Sequence, residues 1–123
     1  MTMDQKKTMS VTSRRNSFIY AFNGIRELFK QEPNAKFHAV ATVGVIIAGI
    51  IRHISHTQWA AIVFAIGLVW ITEAMNTCIE KLCDYSCENK YHPAIKIIKD
   101  ISAGAVLIAA FVSLVVGIFV FIL

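Results

Sequence analysis

Charge is scarce in this chain, and proline scarcer. Only 16% of the 123 residues are Asp, Glu, Lys or Arg, against 56% hydrophobic, and there are two prolines. A soluble domain of this size needs a charged shell, so a soluble fold is excluded. The length leaves room for one domain and no separate soluble module. A phosphate-binding glycine loop is also missing. None of Gly24, Gly44, Gly49, Gly67, Gly104 or Gly117 opens one, and "GVIIAG" lacks the required lysine and hydroxyl. Any nucleotide must therefore be held by side chains. Residues 1 to 36 hold no apolar run of the signal-peptide kind, so no cleaved leader is expected. Cysteine is limited to Cys78, Cys83 and Cys87, within one short segment. Cys83 and Cys87 stand four residues apart with His92 beyond, but that set leaves zinc without a fourth ligand. Reduced packing cysteines are the expectation.

What is present is a membrane pattern. Residues 1–13 are polar and aperiodic and are expected to form a flexible tail. From Ser17, a predicted N-cap, Phe18, Ala21, Phe22, Ile25, Leu28 and Phe29 recur at three- and four-residue steps. That predicts an amphipathic helix over 17–30, too polar to span and suited to the interface. "QEPN" then breaks the pattern at Pro33. Three apolar stretches follow, predicted as membrane helices over about 37–52, 58–80 and 100–122. Crossing the hydrocarbon takes roughly 20 residues, which the third stretch supplies alone and the first two only with their flanks. Lipid leaves no partner for bare backbone groups, so all three are expected to be helical. Trp59 and Trp70 either mark interfacial depth or, for Trp70, pack.

The basic residues set the expected orientation. Lys6, Lys7, Arg14, Arg15, Arg26, Lys30 and Lys36 precede the first span, and Lys81, Lys90, Lys96 and Lys99 lie between the second and third. By the positive-inside rule the N-terminus and the 81–100 loop face the cytoplasm and the C-terminus faces out. The net charge of +4 belongs to this flanking pattern, so a nucleic-acid partner is not expected.

Where the second span should finish, "ITEAMNTCIE" introduces Glu73, Asn76 and Glu80. At about 100° per residue, these three and Asp84 fall within a stripe roughly 80° wide. An ordinary frayed helix end explains Asp84 and Lys81. It does not explain Glu73, which would lie more than a turn deep. Carboxylates at that depth face the bundle interior and need partners. Lys99 and Asp100, or Glu32 with Asn34, are the available ones. Hard oxygen donors of this kind suit magnesium. A carboxylate beside a metal and a lysine could also take a proton from an alcohol, the parts phosphoryl transfer needs.

"EAMNTCIEKLCD" and "YHPAIKIIKDISAGAVLIAA" resemble the small prokaryotic membrane diacylglycerol kinase family, which includes undecaprenol kinases. "SFIYAFNGI" and "EPNAKFH" extend the likeness over residues 14–123, with 71–110 the specific part. The stretch from Glu80 to Tyr91 is one residue longer than the family spacing. Asn34, His38 and Pro93 look closer to the undecaprenol-kinase branch.

The resemblance implies an all-α integral membrane fold: an N-terminal amphipathic interfacial helix plus three transmembrane helices, assembled as a homotrimer in the bacterial inner membrane. It implies MgATP-dependent phosphorylation of a lipid alcohol, undecaprenol or diacylglycerol, at the cytoplasmic interface. By motif position, Glu73 would be the general base on the lipid hydroxyl. Glu80 and Glu32 would hold the metal, and Asn76 would order the site. Lys99 would contact the ATP phosphates, with Asp100 organising that region. Arg14, Tyr20, Tyr91 and His92 complete the implied nucleotide site.

Ser102, with Ala103 and Gly104, either allows close helix approach or makes room for a lipid chain. His38 is expected as an interfacial packing histidine, and His53 and His56 as solvated loop residues. Two other functions fit the greasy composition. One is a proton-coupled exporter subunit using Glu73, although such proteins favour four spans and a more central acid. The other is a membrane adaptor, which leaves the stripe unexplained.

Overall fold

In the computed structural model, the backbone is described from residue 3 to 123 and side chains from Thr12 onward. Four helices follow one another: α1 (Met3–Gln31), α2 (Ala35–Ile51), α3 (His56–Ser86) and α4 (Pro93–Phe121). The chain divides into two units, Met1–Ala35 and Lys36–Leu123.

In the first unit, α1 starts well upstream of the predicted boundary. Ser17 is not an N-cap. Its hydroxyl donates to the Ser13 carbonyl at 2.8 Å, a bond within a continuing helix. Polar residues such as Gln5, Lys6 and Lys7 are compatible with helix, so the loss of apolar periodicity does not end it. After α1, the Glu32 carboxylate accepts from the Asn34 backbone N–H at 3.2 Å, turning the chain beside Pro33.

The second unit is built on α3 and α4, the only pair of helices among the described residues whose backbones run close together. Small residues permit this. Ala65, Ser102 and Ala109 are buried, and the Ser113 hydroxyl donates to the Ala65 carbonyl at 3.1 Å. Of the small run at 102–104, only Ser102 lies in the contact; a Cβ on Gly104 would meet nothing.

Both helices outrun their predicted spans. α3 is opened by a capping box, with Gln58 N–H on Ser55 Oγ at 3.2 Å and Ser55 N–H on Gln58 Oε1 at 2.8 Å. It continues to Ser86, six residues past the predicted end. Glu88 and Asn89, at φ of 53° and 61°, then turn the chain back. α4 begins at Pro93, where a proline at the first helical position costs no hydrogen bond. The connection is therefore residues 87–92, and Lys96, Lys99 and Asp100 are helical. They do not lie in the predicted 81–100 loop.

α2 stands against this pair chiefly through side chains. At one end Gly49 lies beneath Trp59, whose ring would meet a Cβ there at 2.7 Å. Arg52 Nη2 donates to the Phe121 carbonyl at 3.1 Å, tying the end of α2 to the end of α4. Between α2, α3 and α4 lies an apolar cavity of about 570 Å³.

Outward, α3 and α4 present Phe64, Leu107, Ile108, Phe111 and Phe119. Such a surface is unstable in water and suited to hydrocarbon. Among the described residues, α3 and α4 are each long and apolar enough to cross a membrane. α2, with 17 residues, rises only about 25 Å and by itself falls short of the roughly 30 Å core. This is an all-helical membrane protein.

Candidate active site

The stripe predicted on α3 exists, and its inner end is buried. Glu73 is 7% exposed and Asn76 9%, while Glu80 and Asp84 are half-buried further along. Helical spacing alone puts these four on one face. What meets that face decides what each can do.

Glu73 meets α2. His38 Nε2 lies 2.9 Å from Glu73 Oε1. An ionised carboxylate can only accept, so the imidazole N–H donates. The predicted packing role for His38 is corrected here: the ring is a polar partner to the deepest carboxylate. Beside it the Thr42 hydroxyl donates to the His38 carbonyl at 2.7 Å, and Trp70 Nε1–H donates to Thr42 Oγ1 at 2.9 Å. Trp70 is thus a hydrogen-bonded packing residue. Thr77 returns its hydroxyl to the Glu73 carbonyl at 3.0 Å.

Asn76 donates to Glu80 Oε1 at 3.3 Å. Its own Oδ1 is buried and has no hydrogen-bond partner among the described residues. A buried amide oxygen without a donor is costly, and here it leaves an acceptor open beside Glu80. Asn76 and Glu80 together offer oxygen donors of the kind magnesium prefers.

Lys99 on α4 is ion-paired with Asp84 on α3. Asp100, its sequence neighbour, turns to Lys96 instead, at 2.6 Å on an exposed face. Asp84, read from the sequence as a frayed end, therefore anchors the lysine. His92 is the N-cap of α4, its Nδ1 accepting from the Ala94 N–H at 3.1 Å. Tyr91 is exposed beside it, and Ser102 is buried against α3. Arg14 and Tyr20 are exposed on α1, and Glu32 is half-buried in the turn after it. Among the described residues, no three His, Cys, Asp or Glu side chains converge on a metal-binding point. His38 and Asp84 are what the sequence reading undervalued. Periodicity signalled Asp84, but nothing in the local pattern signalled His38.

The pattern of the prokaryotic diacylglycerol kinase family matches residues 19–121. The chain belongs to that family. It is a lipid kinase. An undecaprenol kinase from Bacillus subtilis (strain 168) is 37% identical over 120 residues, covering 97% of each chain. A diacylglycerol kinase from Synechocystis sp. (strain ATCC 27184 / PCC 6803 / Kazusa) is 37% identical over 101 residues, covering 82% of this chain and 58% of that protein. No solved structure matches significantly. Within the kinase, the "EAMNTCIE" and "IKD" segments lie inside the matched region, and the buried stripe is built from the first of them.

Proposed function

We propose that this kinase transfers the γ-phosphate of ATP to undecaprenol at the cytoplasmic face of the bacterial inner membrane, working as a homotrimer with α1 as an amphipathic helix in the interface. The observation that carries the mechanism is Glu73: a buried carboxylate with one oxygen held by His38, a residue that lines the apolar cavity between α2, α3 and α4. Such a group suits a base acting on an alcohol delivered from lipid. In the transfer, the lipid O–H bond breaks and its proton goes to the Glu73 carboxylate. The lipid oxygen forms its bond to the γ-phosphorus as the bond from that phosphorus to the ADP oxygen breaks. Little else is asked of the protein beyond placement and charge neutralisation.

The family likeness gives Glu80 and Glu32 as ligands of the magnesium ion, with Asn76 ordering the site; the unpartnered Asn76 Oδ1 beside Glu80 favours the α3 part of that set. When bound, that ion offsets the phosphate charge. Lys99, oriented by Asp84, contacts the ATP phosphates, with Asp100 organising its helix. Arg14, Tyr20, Tyr91 and His92 border the nucleotide, and Ser102 the lipid. The basic residues before α2 and between α3 and α4 favour a cytoplasmic N-terminus and an outward C-terminus.

Undecaprenol is preferred to diacylglycerol because the undecaprenol kinase relative aligns over nearly its whole length. The test is purified protein in lipid micelles with labelled ATP and magnesium, offered both alcohols together. Faster labelling of undecaprenol is expected; faster labelling of diacylglycerol would reverse the assignment. Glu73→Gln should lose turnover while the assembly stays intact.

A further inference from the structure

We propose that His38 is a positioning residue for phosphoryl transfer, fixing Glu73 so that one carboxylate oxygen alone faces the lipid alcohol. The inference rests on Glu73 being the base. His38 Nε2 occupies Oε1 at 2.9 Å, and among the described residues no hydrogen bond reaches Oε2. The two oxygens of the carboxylate are therefore not equivalent: one is committed and one is available.

The imidazole is itself held. Trp70 and Glu73 are three residues apart on α3, and Thr42 and His38 four apart on α2. They form two rungs between the helices: Trp70 to Thr42 at 2.9 Å, and His38 to Glu73. The Thr42 hydroxyl joins the rungs through the His38 carbonyl at 2.7 Å. The Trp70 ring stands edge-on to the imidazole, with centroids 6.1 Å apart. With side-chain exposures of 21% for His38 and 9% for Glu73, water has little room to replace the donor. A free carboxylate would rotate and spread its lone pairs over several directions. Pinning one oxygen removes that freedom before the substrate arrives, which is how orientation lowers a barrier.

A merely structural histidine would give the same bond, so the test must separate the two. His38→Leu, His38→Gln, Glu73→Gln and the double variant His38→Leu/Glu73→Gln are assayed with undecaprenol and with diacylglycerol, alongside thermal denaturation in micelles. The expected result is a fall of about 10- to 100-fold in kcat for His38→Leu, part of the 10²–10⁴ that general bases contribute, with KM for ATP unchanged. His38→Gln, which keeps an N–H at similar reach, should recover most of the rate. The double variant should be no slower than Glu73→Gln alone, because the histidine acts only through the base.

Near-normal kcat for His38→Leu, with Glu73→Gln dead, would overturn the positioning role and leave the base in place. An active Glu73→Gln would overturn both. If His38→Leu does not fold, His38→Asn replaces it. Its amide is too short to reach Oε1, so a rate equal to that of His38→Gln would also overturn the proposal.

Discussion

Lys99 on α4 pairs with Asp84 on α3, and not with Asp100 beside it in the sequence. The pair crosses from one long helix to the other just inside the 87–92 connection. It gives the lysine a fixed direction, while both side chains keep enough exposure to meet a solute, at 36% and 42%. In the proposed role, in which Lys99 contacts the transferred phosphate, the cation benefits from being oriented in advance.

Lys99→Met should therefore lower kcat by about 100-fold or more, the scale of losing one preorganised electrostatic contact. Asp84→Asn keeps the cation but releases its direction. It should raise KM for ATP roughly threefold to tenfold with a smaller effect on kcat, in line with modest exposed ion pairs. Initial rates over a range of ATP concentrations separate the two. Equal losses in both variants would mean that Asp84 does more than orient the lysine.

Asn76 should separate stability from activity. Its Oδ1 is buried without a partner, so Asn76→Leu removes an unsatisfied group at the cost of one long hydrogen bond to Glu80. Thermal denaturation in micelles should shift little or upward. The magnesium needed for half-maximal activity should rise about 10-fold or more, as when supporting groups around a metal are lost. A destabilised variant with an unchanged magnesium requirement would contradict the role assigned to it.

Trp70→Phe tests the rung that does not touch Glu73. It removes the donor to Thr42 while keeping most of the ring. The expected cost is about 1 kcal/mol, a few degrees in thermal denaturation, with a smaller loss of kcat than for His38→Leu. A larger kcat loss than that of His38→Leu would shift the positioning role from the histidine to the tryptophan.

Gly49→Ala should destabilise without touching the chemistry. A Cβ there would meet Trp59 Cη2 at 2.7 Å, so the ring must move. Overpacking of this kind costs about 1–3 kcal/mol. Combining Gly49→Ala with Trp59→Leu should recover part of that loss, because the smaller side chain vacates the space. Thermal denaturation of the single and double variants measures it.

Much of the site was legible before any fold was known. A helix repeats every 3.6 residues whatever surrounds it, so Glu73, Asn76, Glu80 and Asp84 had to share a face once the segment was helical. The starts of α3 and α4 were not read: Ser55 and Gln58 cap α3 and Pro93 opens α4, ahead of the predicted span starts at 58 and 100. Helix ends were no more legible. The span estimates followed apolar residues, whereas α3 carries on through Lys81, Asp84 and Tyr85, all compatible with helix.

The sequence by itself determined the membrane class, the apolar stretches and the polar stripe, because composition and the backbone repeat are local properties. Only the tertiary structure decided what faces that stripe. His38 meets Glu73 across 35 residues, and Lys99 chooses Asp84 across 15 over its own neighbour. Those choices depend on how α2 and α4 are rotated about their axes. That rotation is set by shape at distant points such as Gly49 under Trp59 and Ser113 on Ala65, which no local pattern encodes.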